Sequence, residues 1–87
     1  MEKIIEIKKL LREREFEKAI FKIMEIIDRT VICINNTGNN TEIINEFKDI
    51  LYHLEYAIKI KDVIKITDIL QFVIVPFLDE NKIALEE

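Results

Sequence analysis

The side chains able to do chemistry are few and poorly grouped. His53 has Asp49 four residues before it and Glu55 two residues after it. Imidazole and carboxylates at such spacings can hold zinc or a di-metal centre. A bundle site of that kind needs several inward ligands on facing helices, supplied by paired His or Glu-x-x-His motifs. One His and no Cys pair cannot furnish the set, so His53 reads as a surface or partly buried residue. Cys33 has no His near it in sequence and falls at the edge of an apolar stripe. A small, inert apolar role suits it better than nucleophilic chemistry. The carboxylates nearest to apolar runs are Asp62, Asp68 and Asp79. Asp62 is placed to cap a helix, and Asp68 follows Thr67 on a polar side. No nucleophile, base and orienting group form a unit. With Gly38 as the single glycine, a Gly-rich phosphate cradle is excluded. The expectation is a protein that is not an enzyme and holds no cofactor and no metal.

The elements that must position these residues follow from the apolar periodicity. Ile4, Ile7 and Leu11 repeat at three and four, with Ile5 and Leu10 widening the stripe. The pattern stops at Arg12-Glu13-Arg14-Glu15. It resumes with Phe16, Ala19, Ile20, Ile23, Met24, Ile27, Val31 and Ile34. A bend or short connection at 12–15 accounts for this, and one long helix is the alternative because no Gly or Pro forces a break. Residues 35–41, Asn-Asn-Thr-Gly-Asn-Asn-Thr, form a polar loop. Asn39 could then cap a helix whose Glu42 lies three residues on. That helix buries Ile43, Phe47, Ile50, Leu51, Leu54, Ala57 and Ile58. The phase breaks again at Lys61-Asp62, where Asp62 is a good N-cap. The last helix carries Val63, Ile66, Leu70, Val73, Ile74, Phe77 and Leu78.

Residues 72–75 are β-branched and aromatic and would also suit a buried strand. A lone strand has nothing to pair with in a helical chain, so a helix kinked near Phe72, at Pro76, is preferred. The expected fold is all-α: one domain over 1–87, a small antiparallel bundle of about four helices built from two helical hairpins.

Charge and composition narrow the function classes. With 49% apolar and 34% charged residues the chain is not disordered. Its net charge of −4 argues against a nucleic-acid binder. The densest basic group, Lys8, Lys9, Arg12 and Arg14, is interleaved with Glu6, Glu13, Glu15 and Glu17. No leader and no spanning segment are read, so a cytoplasmic location without membrane contact is expected. Several large apolar residues lie off the core stripes. Phe21 and Ile32 point away from the stripe of the second helix. Tyr52 and Tyr56 lie opposite Phe47 and Leu54, with Ile60 beside them, and Phe72 leaves the stripe of the last helix. Apolar residues rimmed by charge mark a partner surface. These six are the candidate partner-binding residues. The partner would be another polypeptide, amphipathic or disordered, or a second copy in a homodimer.

Parts of the chain resemble the flagellin-specific export chaperones, which are small four-helix proteins. The resemblance runs through Leu11 to Ala19, where a charged break and an aromatic precede Glu-x-Ala. It continues through Ile23–Ile27, Leu51-Tyr52-His53-Leu54, and Ile60-Lys61-Asp62-Val63 with Asp68-Ile69-Leu70. The last segment also resembles short uncharacterised Firmicute helical proteins ending Lys-Asp-(x)5-Asp-Ile-Leu-Glu-Tyr-Glu-Leu-x-Pro-Leu-Leu. Here Phe72 stands for the Tyr, Ile74 for the Leu, and Pro76-Phe77-Leu78 for the close. The chaperone resemblance implies a protein that shields an amphipathic segment of a motility or export substrate. The alternative is a homo-oligomeric helical protein of structural role.

Overall fold

A computed structural model describes residues 2–36 and 41–83. They form α1 (Glu2–Arg12), α2 (Phe16–Asn36), α3 (Thr41–Lys59), α4 (Val63–Ile69), a π-helical turn (Leu70–Ile74) and α5 (Val75–Glu80). The last three run on as one fourth rod, because Leu70, Ile74 and Val75 all keep right-handed helical angles at the joins. No strand occurs among the described residues, so 72–75 is helical. The chain is an all-α bundle of two hairpins, α1 on α2 and α3 on the fourth rod, with α1 also against α4 and α2 against α3. The Lys61 ammonium lies 5.7 Å above the Phe16 ring, so both hairpin turns sit at one end. The molecule measures 39 × 26 × 19 Å.

The break at 12–15 is a turn. Three helix ends close in the same way, and none uses glycine. Glu15 N–H donates to Leu10 O and Arg14 N–H to Leu11 O; Asp62 pairs with Ala57 and Lys61 with Ile58; Ile83 pairs with Leu78 and Lys82 with Asp79. These crossed bonds are Schellman closures, which satisfy carbonyls that the helix end would otherwise orphan. Each needs a left-handed residue, here Arg14 (φ 62), Lys61 (φ 56) and Lys82 (φ 55). All three are basic, at a helix C-terminus where positive charge suits the dipole. Directly after the second closure, the Asp62 carboxylate accepts from Lys65 N–H at 3.1 Å and starts α4. The expected cap at Asp62 is therefore present, while that at Asn39 lies outside the described residues. Three residues expected in the polar loop are helical: Asn35 and Asn36 belong to α2 and Thr41 to α3, while 37–40 lie outside the described residues. The buried Ile34 holds the last turn of α2 in place.

The core is drawn from every rod, and Phe47 stacks on Phe77 across α3 and α5 at 5.4 Å. The fourth rod needs its irregular turn to contribute. In a straight α-helix Ile66, Leu70, Ile74 and Leu78, each four apart, would drift by about 120° around the axis. Val75 N–H donates to Leu70 O, an i→i+5 bond that holds one extra residue in the turn. One residue is about 100° of rotation, so Ile74 and Leu78 return to the face of Ile66, and all four are buried. Val73, expected in the stripe, is the residue displaced, and it is 41% exposed. The irregularity expected at Pro76 thus takes the form of a widened turn just before it. Lys8 Nζ donates to Gln71 Oε1 at 2.9 Å and ties that turn to α1. Ile5, expected to widen the α1 stripe, faces solvent instead.

On α2 the buried face differs from the apolar stripe. The buried residues are Ala19, Ile23, Ile26, Thr30 and Ile34. Thr30 can join them because its hydroxyl donates to Ile26 O at 2.8 Å, leaving no unpaired polar atom. The face centres on Thr30, about 50° around the helix from the centre of the apolar stripe. Phe16, Ile20 and Ile27 are therefore only half-buried, and Met24 and Val31, expected in the core, are exposed.

Two outcomes follow for urea denaturation. Lys61→Gly relieves the left-handed strain and raises stability by about 1 kcal/mol, whereas Asp62→Ala removes the cap and lowers it by about 1 kcal/mol. Thr30→Val removes both the hydroxyl and its need for a partner and stays within about 1 kcal/mol of wild type. Ile23→Ala, at the same depth, costs about 2–5 kcal/mol.

Candidate docking groove

Six side chains are expected to meet a partner, and all six are exposed: Phe21, Ile32, Tyr52, Tyr56, Ile60 and Phe72. They do not form one surface. Phe21 borders a hollow of about 390 Å³ between α1 and α2, with Leu10 as its apolar floor. Lys22 reaches Glu6 at 3.5 Å beside it. Tyr52 and Tyr56 line a depression on α3 with Glu55 and Lys59, and Tyr52 meets the His53 ring edge-on at 5.6 Å. Ile60 sits in the α3–α4 turn, and Phe72 points outward from the π-turn.

What sequence reasoning missed lies between α2 and α3. These helices pack less intimately than the partners within each hairpin. Val31, Ile34 and Asn35 face Ile44, Phe47, Lys48 and Leu51 across a cavity of about 220 Å³ with an almost wholly apolar lining. Both walls continue along the helices. Ile20, Met24 and Ile27 share the side of α2 that carries Val31, at steps of three and four. Ile58 follows Ile44 and Leu51 at steps of seven on α3. Ile20, Ile27, Ile44, Leu51 and Ile58 are half-buried, and Met24 is 56% exposed. The result is an apolar groove running along the α2–α3 seam. Phe21 lies 80° from Val31 around α2, on the side away from α3, and Tyr52 lies 100° from Leu51 on the side away from α2. The expected residues therefore stand outside the groove. The signal that could have found it was the excess width of the α2 stripe: eight apolar positions, more than one neighbouring face can cover.

The third opening lies between α3 and the fourth rod, about 260 Å³, lined by Ile50, Ile69 and Val73 with Glu46, Asp49, His53 and Lys65 at its edges. His53 is exposed, and Cys33 is a half-buried free thiol. Among the described residues no three His, Cys, Asp or Glu side chains are placed to hold a metal ion. No described helix is long and apolar enough to cross a membrane. The α2–α3 groove offers a continuous apolar contact, and its chemistry is that of packing.

The chain matches no protein family, no curated protein and no solved structure.

If Met24 and Val31 belong to a docking surface and not to the core, charging them leaves the fold intact. Met24→Asp and Val31→Asp each change the unfolding free energy by no more than about 1 kcal/mol, against several kcal/mol for the same change at Ile26, which is buried. Thermal or urea unfolding of the three variants checks this.

Proposed function

We propose that this chain is a non-enzymatic protein-binding module whose working surface is the α2–α3 groove. The observation that carries the reading is the row of half-buried and exposed aliphatic side chains along that seam. A groove between two helices, walled by residues at steps of three, four and seven, is the shape that receives an amphipathic helix. Docking would remove from water the apolar edge that the monomer leaves open. Contiguous apolar surface of that kind marks interaction sites on soluble proteins.

Two partners fit the reading. The sequence resemblance to flagellin-specific export chaperones favours a client helix from a motility or export substrate, shielded against aggregation until it is handed on. The homo-oligomeric alternative makes the docked helix part of another copy of this chain. Exposed apolar residues on the outward faces of α2, α3 and the fourth rod are compatible with either.

The docking site is tested by adding an amphipathic helical peptide in excess and following backbone amide shifts. Shifts concentrate in 20–31 and 44–58, and the Met24→Asp, Val31→Asp double variant abolishes them. Tyr52→Asp with Tyr56→Asp leaves them in place. If the tyrosine pair abolishes binding and the groove pair does not, the working surface is the outer face of α3 and the groove reading fails.

A further inference from the structure

The cavity in the α2–α3 groove lies between the end of α2 and the start of α3, away from the two hairpin turns. Two of its walls, Ile34 and Phe47, are buried, so the space reaches down to the core. A dry aliphatic cavity of about 150 Å³ holds a benzene molecule, and this one measures about 220 Å³. One charged side chain lines it, Lys48. Lys48 is exposed and forms no ion pair among the described residues. The carboxylates of α2 and α3 that border openings stand on other faces. Glu17 lines the α1–α2 hollow, Glu46 and Asp49 the opening toward the fourth rod, and Glu55 the depression on outer α3. Asp28 lies about 20° from Phe21 around α2, outside the groove. The aliphatic walls that continue the groove, Ile20, Met24, Ile27 and Ile58, add no charge.

We infer that the occupant of this groove is an amphipathic helix of another protein, with a phenylalanine as its anchor and a carboxylate one turn away. This rests on the groove being the docking surface and names the chemistry of its partner. A helix backbone is too wide to enter the cavity, but a single side chain projecting from a helix laid along the seam can. A phenyl ring suits the volume and meets Phe47 as an aromatic neighbour. A ring seated in a desolvated pocket is the kind of contact that dominates binding energy, while the flanking aliphatic walls exclude water around it. Lys48 stands on the α3 wall at the height of the cavity. The partner residue that faces it is therefore one turn from the anchor, on the flank over α3. An acid there finds an unpaired cation, and a base there meets a like charge with no carboxylate on the cavity wall to offset it. Along the rest of the seam the walls ask only for apolar side chains.

Fluorescence anisotropy with labelled synthetic peptides tests this. The parent probe is an Ala- and Gln-based helix with a leucine face, one Phe in that face and a Glu one turn from it. Replacing its Phe by Ala weakens binding by about thirtyfold. Replacing its Glu by Lys weakens binding by about fivefold at low ionic strength. The Lys48→Glu chain reverses that preference and binds the Lys peptide better than the Glu peptide. A charge preference unchanged by Lys48→Glu overturns the proposal. So does equal binding of the parent and its Phe-to-Ala and Glu-to-Lys variants; if Met24→Asp with Val31→Asp still abolishes that binding, the groove reading survives and the partner has another chemistry. A wild-type chain that sediments as a dimer, and as a monomer with Met24→Asp and Val31→Asp, makes a second copy the occupant and also overturns it. If no peptide binds at about 1 mM and the chain is monomeric, the inference and the groove reading both fail.

Discussion

The bond from the Thr30 hydroxyl to the Ile26 carbonyl permits α2 to turn a polar residue into the core, and much else depends on that turn. A buried hydroxyl without a partner would cost enough to rotate the helix until water reached it. Satisfied within its own helix, Thr30 sits fully buried at the middle of the core face. The apolar stripe of α2 is broader than that face, so the surplus falls to one side. There Ile20 and Ile27 are half-covered and Met24 and Val31 are left in contact with water. The groove against α3 is the consequence of a helix whose core face and apolar stripe do not coincide.

The rest of the bundle is arranged around economical reversals. Three helix ends close with crossed hydrogen bonds around Arg14, Lys61 and Lys82, each left-handed. A non-glycine residue there costs conformational energy, which the recovered carbonyl bonds and the position of a cation at a helix C-terminus offset in part. The π-turn before Pro76 works at another level. It accommodates a residue that the four-residue spacing of Ile66, Leu70, Ile74 and Leu78 would otherwise push off the core. Proline lies immediately after the irregular turn, as the second residue of α5, and the widened turn sets the phase of the buried side chains.

In the proposed reading, this architecture acts through shape and apolar contact. Its carboxylates are spread over solvated faces, its histidine is exposed, and its openings lie between helices. In a bundle of fewer than ninety residues, where only about 60–65% of the unfolded surface is buried on folding, an unclosed seam is also a reserve of stability that a docked helix would supply.

The helices, their number and the two hairpins were legible in the order of residues. The 3.6-residue repeat survives substitution among Ile, Leu, Val and Phe, and the charged interruptions at 12–15 and 61–62 coincide with real turns. Exposure of Phe21, Ile32, Tyr52 and Tyr56 was legible for the same reason: each lies well away from a strong stripe on its helix, while Ile60 sits in a turn and Phe72 in the π-turn. Which part of a wide stripe is buried was not. That depends on where the neighbouring helices lie, so Met24 and Val31 read as core and Thr30 did not. The fate of Val73 likewise depended on a backbone bond from Val75 to Leu70 that no periodicity encodes. Sequence alone determined that this chain would form amphipathic helices with apolar side chains to spare. Tertiary packing decided where the spare ones would gather, because burial is a property of a pair of facing surfaces and periodicity describes only one.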